Sequence, residues 1–347
     1  MKRWTVLVLS SCILSCLLIA GLNVYADPHF LYSKPKDGFS YAMRPVEYTN
    51  PGILKNFSYD AILIGSSMTA QASASTLDKG LNLNTIKIIA FGARYCEFYD
   101  LLSLGFSSGN TINHVFWGLD FHDLHIDKPI NPKSEYLFDS NVLNDVKYLL
   151  NKEVALRSAY NIYRTFCHIP TVTFDTYAFS EDNEVYSKDA LINSINYDRT
   201  VKPTQIAEDS ELPAVRDNIE KNILSLVRAH PDTTFHFFIS PFSIMYYDRL
   251  TYAYGRLDAY MKNAEYAIEL LLPYDNVRLY YFSSVPEIIC NLDRYKDVSH
   301  HDPGYNAMIL QAAIDDTHRL SKENYKEMLQ KTRQIVDEYD FDSVFEF

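Results

Sequence analysis

The stretch Tyr59–Thr69, YDAILIGSSMT, decides the fold. Four consecutive apolar residues, 61–64, are bounded by Asp60 and Gly65, a pattern typical of a strand buried on both faces in a parallel sheet. Gly65 and the serines after it predict a tight strand-to-helix turn, because glycine adopts backbone conformations that a side chain resists. Open α/β sheets bind ligands at the carboxyl ends of such strands. Ser67 is therefore a candidate nucleophile, and the next helix N-terminus would favour negative charge beside it. The same pattern also fits a helix N-cap after a core strand.

The rest of the chain repeats this alternation of apolar runs and helical segments. Strands are predicted at residues 61–64, 85–91, 113–120, 234–240 and 277–283, and helices at 70–81, 95–106, 141–150, 153–166, 214–229, 248–272, 286–291 and 306–320. Strands that alternate with helices at this spacing imply βαβ units with right-handed crossovers. The sequence therefore predicts an α/β fold, a three-layer α/β/α sandwich around a five-stranded, mainly parallel sheet.

The N-terminus has the pattern of a targeting segment. Lys2 and Arg3 precede an apolar run at residues 4–20, which predicts either a secretory signal or a single membrane anchor within residues 1–26. Small residues before position 27 permit cleavage after Ala26, while the run is at the short end of the roughly 17–25 residues that span a bilayer. In both cases we expect an exported, extracytoplasmic protein, membrane-anchored or secreted, that meets the membrane only through this segment.

The remaining segments differ in composition from the alternating domain. Residues 27–58 are polar and contain four prolines, which predicts an irregular lead-in. Residues 59–320 form the α/β domain, with an insertion at 121–212 that is helical in its first half and loop-like at 167–212. Residues 321–347 form a C-terminal tail that begins helical and ends acidic.

Charge and motifs exclude several classes of function. The net charge of −12 argues against nucleic acid or anionic lipid as the main partner. A glycine-rich dinucleotide fingerprint is absent, and the cysteines have no metal-like spacing, so no cofactor and no metal are predicted. His122 and His125 could form a metal-binding pair, but they lie in a predicted loop that has no obvious third ligand.

A second cluster of polar residues supplies partners for Ser67. Nucleophilic catalysis by serine needs a base within hydrogen-bond reach and a group that orients the base. Asp297 and His300 are three residues apart on a loop after the fifth strand, so they emerge at the same sheet edge as Ser67. His301 with Asp302 is an alternative pair on the same loop. Arg94 either binds an anionic substrate group or faces solvent.

This combination resembles the SGNH (GDSL-like) hydrolase superfamily over most of residues 59–320. The first block, G-D-S in that family, reads Gly65-Ser66-Ser67-Met68-Thr69 here, and the last block, D-x-x-H, matches Asp297 and His300. The resemblance implies a flavodoxin-like fold and a triad in which Ser67 is the nucleophile, His300 the base and Asp297 its orienting group. It also implies an oxyanion hole that includes the N–H groups of Ser67 and Gly92.

Two positions depart from the family pattern. Ser66 replaces the Asp of the first block, and Asp120, in Gly118-Leu119-Asp120, replaces the Asn that donates to the oxyanion. An ionised Asp cannot donate a hydrogen bond. Asp120 therefore either points elsewhere, is held protonated, or leaves the oxyanion to the N–H groups alone.

The Gly-Ser-Ser variant is closest in style to the D-alanyl transfer protein of teichoic-acid modification and related envelope acyltransferases. The resemblance thus implies a serine esterase or O-acyltransferase that acts on acyl esters of a cell-envelope polymer or glycan. A membrane-bound acyltransferase is a further expected partner. The alternative, suggested by Asp120, is a catalytically impaired SGNH-like domain that binds a glycan or a partner protein.

Overall fold

All five predicted strands are present and pair into one parallel sheet. They are β1 Ala61–Gly65, β2 Thr85–Ile89, β3 His114–Leu119, β4 Thr234–Ile239 and β5 Val277–Tyr281. The structure is a computed structural model that describes residues 2–131, 133–179, 184–201 and 203–345. The strand order is β2-β1-β3-β4-β5, with Ile62 of β1 opposite both Ile86 and Val115. Every pair is parallel, so the predicted α/β fold is confirmed and the order is flavodoxin-like.

The order of the strands shows where the sheet forms a crevice. Every residue of β1 and β2 is buried, and because successive side chains point to opposite faces, both faces of the sheet are covered. The strand order reverses at β1, with β2 on one side of it and β3 on the other. In open α/β sheets a crevice forms at the carboxyl ends of the strands at such a reversal. Ser67 follows β1 and Asp120 follows β3 at this edge.

Fifteen α-helices lie within the described residues. They are α1 Lys2–Ala26, α2 Val46–Asn56, α3 Ala74–Leu81, α4 Tyr95–Phe106, α5 Glu135–Phe138, α6 Val146–Leu149, α7 Lys152–Phe166, α8 Lys188–Ser194, α9 Leu212–Ile219, α10 Ser225–Ala229, α11 Ile244–Tyr252, α12 Leu257–Leu271, α13 Pro286–Ile289, α14 Pro303–Asp315 and α15 Tyr325–Glu338. The chain divides into two compact units: unit 1 is Met1–Ser58, Leu101–Asn110 and Pro132–Thr173, and unit 2 is Tyr59–Asp100, Thr111–Asn131 and Phe174–Phe347. Unit 2 contains the whole sheet.

Several helices differ from the prediction. The helix expected at 70–81 begins only at Ala74, because Ser67–Thr69 forms a single 3-10 turn. Ser67 therefore does not lie in the first turn of an α-helix. The helix expected at 248–272 is two helices, α11 and α12, separated at Gly255, which has φ +60°. At that position a Cβ would also meet the carbonyl oxygen of Thr204 at 2.4 Å.

The predicted irregular segments also contain helices. The lead-in at 27–58 includes α2, and the predicted loop at 167–212 includes α8. Polar composition hid both of these short helices. Residues 180–183 and 202 of that predicted loop, and 346–347 of the tail, lie outside the described residues.

Gly65 is required because a side chain would not fit there. The prediction that it supplies a backbone conformation that a side chain resists is wrong. The glycines with positive φ in the described residues are at 38, 92, 109 and 255. A Cβ at Gly65 would instead lie 2.2 Å from Oγ1 of Thr69, and one at Gly118 of β3 would lie 2.4 Å from the same atom. The fully buried Thr69 side chain thus packs directly on two adjacent strands and fixes the turn that carries Ser67.

Gly118→Ala is expected to lower the free energy of unfolding by about 1–3 kcal/mol, because the added methyl overpacks the site. Thermal melting followed by circular dichroism measures the effect. The cost should be smaller in a Thr69→Ala background, where the Oγ1 contact is gone. Gly21→Ala is the control, since its added methyl meets nothing within 4 Å. Equal melting temperatures for wild type and Gly118→Ala would contradict this packing argument.

In unit 1, the end of α1 is part of a folded core. Asn23 is fully buried; its side chain donates to the Leu149 carbonyl at 3.0 Å and accepts from the Ser158 hydroxyl at 2.9 Å. Asp27, also buried, accepts N–H groups of residues 31–33 at 2.8–2.9 Å and the Tyr148 hydroxyl at 3.0 Å. Residues 2–19 are exposed, and an 18-residue window of α1 has a mean hydropathy of 2.4, so α1 is long and apolar enough to cross a membrane. A signal sequence would meet the same criterion.

Candidate active site

Ser67, His300 and Asp297 form a continuous hydrogen-bonded chain in unit 2. The Ser67 Oγ lies 2.8 Å from His300 Nε2, and His300 Nδ1 lies 2.8 Å from Asp297 Oδ2. With Nδ1 protonated towards the carboxylate, Nε2 is free to accept a proton from the serine hydroxyl. The structure thus brings together the three side chains that the sequence selected, although they come from segments more than 200 residues apart.

The loop that presents His300 is built by local hydrogen bonds. Asp297 Oδ1 accepts the N–H groups of both Ser299 and His300 at 2.8 Å, which closes a tight Asx-type turn. The Lys296 N–H donates to the His300 carbonyl at 3.0 Å. Asp297 therefore positions both the backbone and the ring of His300 through its two carboxylate oxygens.

His301 and Asp302, the alternative pair, form contacts with groups other than Ser67. His301 is 4% exposed, and its Nδ1 faces the backbone carbonyl of Asp302 at 3.2 Å. The carboxylate of Asp302 forms an ion pair with Arg294 and caps α14 by accepting the Tyr305 N–H at 3.1 Å. Burial lowers the pKa of His301 to about 4. The structure does not bring this pair to Ser67.

The electrostatics of Asp297 favour a permanent carboxylate. Burial alone would raise the pKa of this group, but the hydrogen bond and charge of His300, with the two backbone N–H donors, lower it to about 2. Because the pKa in the folded state lies below the ordinary value of 3.8, ionised Asp297 stabilises the fold above that value. The contribution is lost as the pH falls through about 2.

Asp297→Asn is expected to lower the free energy of unfolding by about 1–2 kcal/mol at neutral pH. The difference in the free energy of unfolding between wild type and Asp297→Asn should be constant above pH 5. It should narrow between pH 4 and pH 2, where the wild-type carboxylate takes up a proton. Melting temperatures of both proteins across this pH range test whether the difference shrinks on acidification. Asp217→Asn, at an exposed position, is the control. A gap that widens on acidification would contradict the stabilising role of the ionised carboxylate.

Two backbone N–H groups are available for a developing oxyanion. Within the described residues, neither the Ser67 N–H nor the Gly92 N–H donates a hydrogen bond, and both residues line the same cavity. Gly92 follows β2 with φ +64°, a conformation that favours glycine, and a Cβ there would contact nothing within 4 Å. The glycine is thus required for the direction of the backbone and not for space.

Asp120 is held by two serine hydroxyls. Its Oδ2 accepts the Ser66 hydroxyl, and its Oδ1 accepts the Ser240 hydroxyl at 2.9 Å, while its backbone carbonyl accepts the Tyr95 hydroxyl at 2.9 Å. As a double acceptor in this arrangement, the carboxylate offers no donor to an oxyanion. It instead ties the turn after β1 to the end of β4. The same contacts explain why Ser66 suits the position where the family pattern has Asp.

The cavity that contains Ser67 has a volume of about 450 Å³. Its lining residues are Ser66, Ser67, Met68, Gly92, Ala93, Asp120, His122, Asp123, Phe242, Tyr246, Arg249, Leu250, Tyr254, Arg256, Ser299 and His300. One wall is the face of α11 that carries Tyr246, Arg249 and Leu250 at helical spacing. Sequence reasoning missed this wall, because Arg249 and Leu250 lay inside the helix predicted at 248–272, Tyr246 lay just before it, and none of the three belongs to a motif. Ser240 had a signal that was overlooked: it is a polar residue at the carboxyl end of a strand.

Arg94 and the histidine pair have protein partners. The Arg94 guanidinium forms an ion pair with Asp123, which also lies 2.6 Å from His122 Nε2. Arg94 is not among the lining residues, so its predicted role in substrate binding stays a prediction. The Arg256 guanidinium donates to His125 Nδ1 at 3.1 Å. No group of three or more metal-binding side chains occurs in the part of the chain described.

Comparisons with known proteins add little to this geometry. No protein-family model and no curated protein matches the chain. Among solved structures, it is similar to one described as "a putative platelet activating factor from Streptococcus pneumonia", with a TM-score of 0.43 and 10% sequence identity over 78% of this chain and 90% of that chain. A TM-score below 0.5 does not establish a common fold, so the fold assignment rests on strand order and register.

Proposed function

We propose that this protein is an SGNH-like serine esterase or O-acyltransferase that acts outside the cytoplasm on acyl esters of a cell-envelope polymer or glycan. The observation that carries the proposal is the chain from Ser67 through His300 to Asp297 at the carboxyl edge of the sheet. The free N–H groups of Ser67 and Gly92 in the same cavity support it further.

The geometry suits acyl transfer through a covalent intermediate. The Ser67 Oγ attacks the acyl carbonyl carbon while His300 Nε2 takes the hydroxyl proton, and the N–H groups of Ser67 and Gly92 stabilise the oxyanion. The tetrahedral intermediate collapses when His300 returns the proton to the departing alkoxide, which leaves an acyl-serine. Water or an acceptor alcohol then loses a proton to His300 as it attacks this ester. The second tetrahedral intermediate collapses as His300 returns the proton to Ser67 Oγ, which breaks the acyl–serine bond and releases the acid or the new ester. Asp297 holds the imidazole tautomer throughout.

A membrane-anchored location forms part of the proposal. Lys2 and Arg3 precede the apolar segment, and positive charges at this flank favour retention on the cytoplasmic side. The rest of the chain would then lie outside. The buried bonds of Asn23 and Asp27 favour an anchor over a cleaved signal, because cleavage after Ala26 would remove Asn23 from Ser158.

The second candidate is a catalytically impaired domain that binds a glycan or a membrane-bound acyltransferase. Asp120 favours it, because a carboxylate in the catalytic cavity opposes the negative charge of an oxyanion. A fluorophosphonate probe distinguishes the two candidates. We expect stoichiometric labelling of the folded full-length protein at Ser67, located by peptide mass spectrometry. Folded protein that stays unlabelled would support the binding module.

A further inference from the structure

Arg249 is a cation in the catalytic cavity that the proposed mechanism does not use. Its guanidinium donates through Nη2 to the Tyr254 hydroxyl at 2.6 Å and lies over the Tyr254 ring at 5.2 Å. Its Nε is buried and has no hydrogen-bond partner. Among the residues described, no carboxylate pairs with it.

The other charges of the cavity have partners within the protein. Arg256 donates to Glu211 at 2.6 Å, and Asn263 donates to the same carboxylate oxygen at 2.6 Å. Asp123 is paired with Arg94 and His122. The carboxylate of Asp120 accepts its two serine hydroxyls at the catalytic end. Arg249, on the α11 wall, is thus the lining cation that no described carboxylate neutralises.

Tyr254 gives this guanidinium a fixed orientation. The hydroxyl contact and the stacking on the ring restrain the side chain at two points, so less entropy is lost when it binds a ligand. An arginine guanidinium presents several donors in one plane, a geometry that matches the oxygens of a carboxylate or phosphate. The apolar parts of Phe242, Tyr246 and Leu250 line the same cavity and suit the uncharged portion of a substrate.

We propose that Arg249, oriented by Tyr254, forms an anion subsite, so that the ester processed at Ser67 carries a carboxylate or phosphate group. This inference rests on the proposed function, because it assumes that the cavity binds an ester. It narrows the substrate class from acyl esters in general to anionic ones.

Three esters on one scaffold test the charge requirement: 1-acetylglycerol, 1-succinylglycerol and 1-acetylglycerol 3-phosphate. The first is neutral, the second carries a carboxylate on the acyl side, and the third carries a phosphate on the alcohol side. With full-length protein in detergent, we expect kcat/KM to be higher for at least one charged ester. The charged ester that is preferred identifies the chemistry of the anion.

Arg249→Gln should lower the ratio of kcat/KM for the preferred charged ester to that for 1-acetylglycerol by roughly 10-fold or more, the value of one charge-assisted hydrogen bond. Arg249→Lys, which keeps the positive charge, should lower this ratio by a smaller factor. Tyr254→Phe removes the hydroxyl acceptor, keeps the ring and should lower the ratio by a smaller factor, which provides a second variant if Arg249→Gln does not fold. Arg228→Gln, at a surface ion pair with Glu220, should leave the ratio unchanged.

Two outcomes would overturn the subsite while the proposed function stands: no preference for either charged ester, or a ratio that Arg249→Gln leaves within twofold of wild type. If Ser67 is neither labelled nor able to turn over any ester, the proposed function has failed. The phosphorus-31 linewidth of inorganic phosphate, measured with wild type and Arg249→Gln, then tests the subsite alone. Broadening that the variant abolishes supports it, and equal linewidths refute it.

Discussion

Ser67→Ala and His300→Ala are each expected to lower ester turnover by roughly 10⁴-fold or more, and the double variant to lose little beyond the worse single one. The reason is that the hydroxyl and the imidazole act as one unit, joined by the 2.8 Å contact between Ser67 Oγ and His300 Nε2. Removal of the imidazole leaves a hydroxyl that water alone must deprotonate. Removal of the hydroxyl leaves a base with no nucleophile to activate.

Turnover of 1-acetylglycerol and the rate of fluorophosphonate labelling measure this effect on full-length protein. Ser107→Ala and His168→Ala replace exposed residues of the same types and should retain wild-type rates. Melting temperatures of all variants separate chemical effects from loss of folding. If the two single variants lost activity by independent factors that multiply in the double variant, the two groups would not form a catalytic unit.

Asp120→Asn is expected to accelerate labelling of Ser67 by roughly 10- to 100-fold, which reaches at most the lower end of the 10²–10³ that one oxyanion-hole donor contributes. The substitution preserves shape, and both serine hydroxyls can donate or accept, so the contacts to Ser66 and Ser240 are retained with one bond reversed. It removes a negative charge from the cavity in which the oxyanion forms. The new amide also supplies an N–H group at the position where the SGNH pattern has a donor.

The second-order rate constant of fluorophosphonate labelling measures this gain, because the reaction develops negative charge on an oxygen as acyl transfer does. Asp120→Ala should instead destabilise the fold, since it leaves both hydroxyls without their acceptor. Asp217→Asn, at an exposed position, controls for the loss of one negative charge. An unchanged or slower rate in Asp120→Asn would mean that the carboxylate does not oppose the reaction. If Asp120→Asn is labelled and wild type is not, wild type is an impaired enzyme.

The parts of the site that sequence predicted are those set by local pattern. The buried apolar run of β1 predicts the position of Ser67, and the three-residue spacing lets the Asp297 carboxylate reach both the N–H and the ring of His300. The sheet then brings the two segments together, since parallel strands end at one edge. These inferences depend on periodicity and on short-range geometry, which a single sequence contains.

The parts that sequence did not predict depend on contacts between distant residues. The partners of Asp120 lie on the turn after β1 and at the end of β4, and the space requirement of Gly65 comes from Thr69 across a turn. The prediction of one helix at 248–272 overlooked the break at Gly255, where φ is +60° and a Cβ would meet the carbonyl oxygen of Thr204, so the α11 wall was not recognised. Arg249 had no distinguishing neighbours in the sequence.

The buried bonds at Asn23 and Asp27 have a mechanical consequence. A catalytic domain on a flexible stalk can tumble freely above a bilayer, but a tether that ends inside a packed core transmits its tilt and rotation to the body that contains it. If α1 is the membrane anchor proposed above, unit 1 would therefore meet the lipid surface in one orientation, set by the direction in which α1 leaves the core. With such an anchor, residue 26 would not act as a swivel between the bilayer and unit 1.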